Sequence, residues 1–127
     1  MKHLMISFAL GASLLAPAAF ACEGEEHSAS GPSKVSVQEM ASLNREKKAT
    51  PIDANGASTR EKHGVIPGAV LLTSSANYDM KELPADKNAK LVFYCASEKC
   101  SSSHTAAKRA HEAGYSNVAV MSEGITG

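Results

Sequence analysis

Residues 91–113 read LVFYCASEKCSSSHTAAKRAHEA, and the fold follows from how this stretch divides. Leu91-Val92-Phe93-Tyr94 is apolar at four consecutive positions, so it buries both faces, as a central strand of a parallel sheet does. The run stops at Cys95. From Cys95 to His104 the chain (CASEKCSSSH) is small and polar, and it reads as a loop opening a helix that starts at Ser102 or Ser103 and ends near Ala113. Ala106, Ala110 and Ala113 share one face of that helix, with Lys108, Arg109, His111 and Glu112 mostly on the other. A face of alanines lets the helix lie close on a sheet. Gly114 is a natural residue just past a helix end, and Asn117–Met121 (NVAVM) is the next strand.

Upstream the same alternation continues. Ser36, followed by Gln38 and Glu39, is a capping signature for a helix carrying Val37, Met40, Ala41 and Leu43 and running to Lys48. Thr50–Asp53 (TPID) reads as a strand ending in the turn Ala54-Asn55-Gly56, and His63-Gly64 with Val65-Ile66-Pro67-Gly68 as turn structure. A strand at Ala69–Leu72, a short helix at Asn77–Leu83 and a loop at Pro84–Asn88 complete the pattern. Strands alternating with helices predict an α/β fold with a parallel sheet. The 127 residues suffice for one ordinary domain and not for two independent cores. Lys plus Arg is 13 and Asp plus Glu is 13, so charge offers no basis for binding nucleic acid or an anionic membrane surface. There is no internal repeat and no nucleotide-binding glycine pattern.

The N-terminus does not belong to this fold. Residues 1–21 (MKHLMISFALGASLLAPAAFA) place Lys2 before an apolar run, Leu4 to Leu15, and end on the small-x-small pattern Ala19-Phe20-Ala21. The run is short for a membrane span, and acidic residues follow it (Glu23, Glu25, Glu26). We read a cleaved signal peptide and an exported protein, periplasmic or secreted, with no membrane span after cleavage. Cys22 raises a lipid anchor as a secondary reading, although Ala19 stands where a lipoprotein signal favours Leu. Residues 22–34 read as a flexible tether, and the folded domain as 35–127.

Cys95 sits where the chemistry is expected. The carboxyl edge of a parallel sheet is where open α/β folds place ligands. Loop amides and a helix N-terminus there present free N–H groups and partial positive charge. Such a field favours a thiolate, pulling a cysteine pKa below its free value of about 8.5, and it also suits an anionic substrate group. Lys99 is placed to attract an anion and His104 to sit near the sulfur. Ser101, Ser102 and Ser103 offer hydroxyls, to the sulfur or as a helix cap. Cys100 has three readings: a thiol that resolves an adduct on Cys95, the partner in a Cys95–Cys100 disulfide, or the nucleophile itself. An exported location permits the disulfide. A single C-x4-C lacks a second ligand pair, so no metal site is expected.

Several segments together resemble the rhodanese-like domain family over about residues 35–127. They are the strand ending at Asp53, the turn Gly64-x-Ile66-Pro67-Gly68-Ala69, the strand end Tyr94-Cys95, and the step Gly114-Tyr115-x-Asn117-Val118. The resemblance implies a three-layer α/β/α sandwich around a small parallel sheet. It also implies a sulfurtransferase in which Cys95 carries sulfane sulfur as a persulfide. On that reading Cys95 and Cys100 are the catalytic pair. Ala96, Ser97, Glu98, Lys99, Ser101, Ser102, Ser103 and His104 surround the substrate, with Asp53 orienting the loop from the neighbouring strand. The implied partners are a small sulfur-containing anion as donor and a thiol acceptor, with no cofactor.

The chain departs from the family pattern at four places. Asp53-Ala54-Asn55 stands where Asp-x-Arg is usual, and Arg60 is the nearest arginine to substitute, although its position reads as surface. The loop from Cys95 to Ala106 is about two residues longer than in the resembled family, and Cys100 falls where an arginine commonly closes it. The sequence stops at Gly127, where many relatives continue. Two alternatives therefore stand beside sulfur transfer: a periplasmic thiol–disulfide redox protein using Cys95 and Cys100, and a non-catalytic binding module on the same fold.

Overall fold

The computed structural model describes residues 31–127. The signal-peptide reading, the lipid-anchor reading at Cys22 and most of the tether lie outside them. Five parallel strands form one sheet in the order β1-β5-β4-β2-β3: β1 Ser33–Lys34, β2 Thr50–Asp53, β3 Val70–Leu71, β4 Leu91–Tyr94 and β5 Val118–Met121. Helices α1 (Val37–Arg45), α2 (Ala57–His63) and α3 (Ser102–Glu112) connect them, with a 3₁₀ turn at Met80–Glu82. No helix among the described residues is long and apolar enough to cross a membrane.

Strand β4 lies in the centre, as its unbroken apolar run predicts. It pairs with β2 on one side (Thr50↔Leu91 to Asp53↔Tyr94) and with β5 on the other (Leu91↔Val118 to Tyr94↔Met121). All four of its residues are buried. Because successive side chains point to opposite faces, Leu91 and Phe93 join Ile52, Val118, Val120 and the alanines of α3 in one core layer. Val92 and Tyr94 join Ala119, Met121 and Met40 of α1 in the other. The sheet is thus covered on both faces. Burying a side chain such as Phe93 contributes about 1.5–3 kcal/mol. Ser36 caps α1 as expected, its hydroxyl accepting from the Glu39 amide at 3.2 Å.

Three local elements differ from the sequence reading, each for a physical reason. Ser33 and Lys34, read as the end of the tether, pair with β5 as an edge strand. Both are exposed, so no apolar pattern marks them. Helix α2 replaces what reads as turn around His63. It buries no residue and carries no hydrophobic stripe, and it ends at Gly64, whose φ of 77° suits glycine. The expected helix at 77–83 shrinks to one 3₁₀ turn. Tyr78 is drawn into the core, where its hydroxyl donates to the Ala106 carbonyl at 2.7 Å. Leu83, preceding Pro84, is forced extended.

Candidate active site at the carboxyl edge of the sheet

The carboxyl ends of β5, β4 and β2 are level at Met121, Tyr94 and Asp53, and the next residue of each strand leaves the sheet. Cys95 is the residue that leaves β4. By alternation it follows Leu91 and Phe93 toward α3, and it is 1% exposed. A disulfide joins it to Cys100, with the two Cα atoms 6.3 Å apart. The arc between them is closed by the Cys100 amide donating to the Ser97 carbonyl at 3.0 Å.

Two further groups meet the Cys95 sulfur. Ser103, in the first turn of α3 and 1% exposed, has its Oγ 3.4 Å from Sγ. In the disulfide only the hydroxyl has a proton, so Ser103 donates. The sulfur is the one hydrogen-bond partner of this buried hydroxyl among the described residues. The Cys100 carbonyl lies 3.3 Å from the same sulfur and accepts from the Cys95 thiol when the bond is reduced.

The base of the loop is held by the segment after β5. Ile125 N donates to Cys95 O at 2.8 Å, and Thr126 donates to Ala96 O through its amide at 3.1 Å and its hydroxyl at 2.9 Å. Gly124 makes this approach feasible. Its φ is 69°, and a Cβ there would lie 2.6 Å from the Cys95 and Ala96 carbonyl oxygens. Nothing in the spacing of Gly124 and Thr126 signals this role, because their partners are about thirty residues away in the chain.

On the opposite face, one residue back, is a second polar cluster. Asp53 is fully buried. Its Oδ1 accepts from the Asn55 amide at 2.7 Å and its Oδ2 from the Tyr94 hydroxyl at 3.0 Å. The Tyr94 oxygen in turn accepts from Ile66 N at 3.0 Å. Burial pushes the Tyr94 hydroxyl pKa well up, opposed by the Ile66 hydrogen bond and reinforced by the Asp53 charge. Arg60, read as a surface residue, is tucked in. Its Nη2 donates to the carbonyls of Asp53 at 3.1 Å and Leu72 at 2.9 Å, and its Nε pairs with Asp53 Oδ1 at 3.5 Å without hydrogen-bond alignment. Helix α2 brings this arginine to the aspartate from seven residues downstream.

Of the residues singled out in the sequence, the fold brings Cys95, Cys100 and Ser103 into contact, with Ser97 closing the arc. Ser97, Glu98 and Lys99 line the outer side of the loop, an open groove of about 470 Å³ shared with Glu123, Thr126 and Gly127. Ala96 anchors the loop through its carbonyl. Ser102 is half-buried, and Ser101 and His104 are exposed. Ser101 occupies the capping position of α3, yet its side chain makes no capping hydrogen bond. Asp53 does not reach the sulfur. Its carboxylate instead accepts from the hydroxyl of Tyr94, the residue before Cys95.

A cysteine ending the central parallel strand, held in a loop that opens a helix, defines a class, and the comparisons agree with it. The rhodanese-like domain model matches residues 36–127. The chain belongs to the rhodanese-like domain family. Among solved structures, a human single-domain sulfurtransferase, TSTD1, is 21% identical with a TM-score of 0.57, covering 74% of this chain and 92% of that one. A Rhodopseudomonas palustris protein of unknown function, described as a possible tyrosine phosphatase, is 22% identical with a TM-score of 0.59 and covers 73% of this chain and 76% of that one. At these identities the likeness is one of fold. No curated protein matches the chain.

Proposed function

We propose that this protein is an exported sulfurtransferase or persulfide carrier whose nucleophile is Cys95. In the first half-reaction the Cys95 thiolate attacks the sulfane sulfur of a small anionic donor such as thiosulfate. Sulfite leaves with the bonding electron pair, and Cys95 holds a persulfide. In the second, a thiol acceptor takes the outer sulfur. The observation that carries this reading is the placement of Cys95 at the end of β4, with the buried Ser103 hydroxyl directed only at its sulfur. A hydrogen-bond donor and the N-terminus of α3 both favour the anionic sulfur of the resting and loaded states. Lys99 on the loop rim attracts the donor.

Phosphate-ester chemistry, the activity suggested for the Rhodopseudomonas neighbour, suits this loop less well. Between Cys95 and Thr105 there is no arginine to clamp three phosphoryl oxygens, and Cys100 occupies the middle of the loop. A thiol–disulfide redox role is the second reading, and the Cys95–Cys100 bond favours it.

Intact mass of the mature protein, reduced, desalted and incubated with thiosulfate without oxygen, tests the proposal. Release of sulfite that Cys95→Ser abolishes supports sulfur transfer. No release of sulfite, with loss of two hydrogens once a disulfide oxidant such as oxidised glutathione is supplied, supports the redox reading instead.

A further inference from the structure

Cys100 is more than a neighbour of the nucleophile. The sulfur of Cys95 can hold one partner besides its own Cβ. In the structure that partner is Cys100 Sγ. Cys100 Sγ and the outer sulfur of a persulfide exclude each other, so forming the disulfide on a loaded Cys95 must expel the outer sulfur. The loop is built for that exchange: its base is fixed by Ile125 and Thr126, while the arc from Ser97 to Cys100 turns back on itself to present Cys100 to Cys95. The two sulfurs also differ in access. Cys95 is 1% exposed and Cys100 half-buried, so an external thiol meets Cys100 first and releases Cys95 as the leaving thiolate.

We propose, resting on the sulfur-transfer reading above, that Cys100 resolves the Cys95 persulfide internally and makes the protein a sulfide-releasing reductase of sulfane sulfur. The Cys100 thiolate attacks Cys95 Sγ, the inner sulfur. The Cys95–Cys100 bond forms, the bond to the outer sulfur breaks, and that sulfur leaves with the electron pair as hydrosulfide. It takes up the proton that Cys100 gave up. The two thiols are oxidised to the disulfide and the sulfane sulfur is reduced to sulfide. An external dithiol reductant then restores both cysteines and is itself oxidised. With thiosulfate as donor, the balance is thiosulfate plus a dithiol giving sulfite, hydrogen sulfide and the oxidised dithiol.

A single-turnover assay without external thiol tests this. The wild-type protein, Cys100→Ser and Cys100→Ala are reduced, desalted under nitrogen and mixed with thiosulfate, and sulfite, sulfide and intact mass are followed together. The wild type is expected to release sulfite and sulfide in equal amounts and to end two hydrogens lighter with no added sulfur. Both variants are expected to release sulfite but retain one added sulfur, and to release sulfide at least about tenfold more slowly relative to that sulfite. Sulfur retained by the wild type as by the variants, or sulfide released equally fast by the variants, overturns the resolving role and leaves sulfur transfer intact. Absence of sulfite from the wild type and both variants overturns the sulfur-transfer reading itself, and this step with it.

Discussion

Two polar clusters stand one residue apart at the end of β4, on opposite faces of the sheet, and they differ in everything but location. Around Tyr94, on the α1 side, a buried carboxylate meets a guanidinium, a phenol and a backbone amide, and the hydroxyl links the strand end to the turn at Ile66. Around Cys95, on the α3 side, a sulfur meets a hydroxyl and a second sulfur, with partners that can be exchanged. The first cluster holds position because removing any member leaves a charge or donor unpaired in the interior. The second is joined by a disulfide, a bond that thiols can break and remake. The lesson is that strand alternation puts rigid support and labile chemistry back to back, using consecutive residues.

The comparison can be broken most severely at Asp53. Replacing it with Ala leaves Arg60 and Tyr94 without their partner, and urea denaturation should show a loss of about 3–5 kcal/mol. Sulfite release per folded molecule should stay close to wild type, since Asp53 does not touch the sulfur. Equal losses of stability and chemistry would merge the two clusters into one site.

Ser103→Ala probes the other side with a smaller effect. Losing one hydrogen bond to the sulfur is worth about 1–1.5 kcal/mol, so sulfite release from reduced protein should slow by about tenfold. The melting temperature should shift by only a few degrees. An unchanged rate would show that the hydroxyl only fills space.

Alkaline pH gives the gentlest test. Burial raises the Tyr94 hydroxyl above the free value, and burial also lifts Tyr78, opposed by the Arg109 charge, to about 12. The folded state keeps protons that the unfolded chain releases near pH 10. This contribution to stability is therefore complete below about pH 10 and is lost as pH rises through the folded values. Stability followed by circular dichroism should decline above that point, and Tyr94→Phe should flatten the decline. A curve as steep in the variant as in the wild type would remove Tyr94 from the supporting cluster.

Sequence reasoning reached the elements that carry their own apolar signature. Strand β4 declares itself by four consecutive apolar residues, α3 by its alanine face, and α1 by Ser36 and the spacing of Val37 and Met40. What it missed carries none: β1 is two exposed residues and α2 buries nothing. In the site, the meeting of Cys95, Cys100 and Ser103 was open to local reasoning because they lie within nine residues around one loop. Arg60 is legible as the nearest substitute for the missing arginine but not as the inward-facing partner of Asp53, since nothing in ASTREKH announces a helix that turns it inward.

That a cysteine ends a buried parallel strand and faces the start of a helix is a local matter, because apolar runs and capping residues act over a few positions. Which distant groups surround that cysteine is set by the way the chain folds back on itself. Tyr94 meets Asp53 across 41 positions, and Thr126 holds Ala96 across 30. Those contacts exist because the parallel sheet brings the ends of β2, β4 and β5 to one edge, and parallel neighbours are always separated by a long crossover.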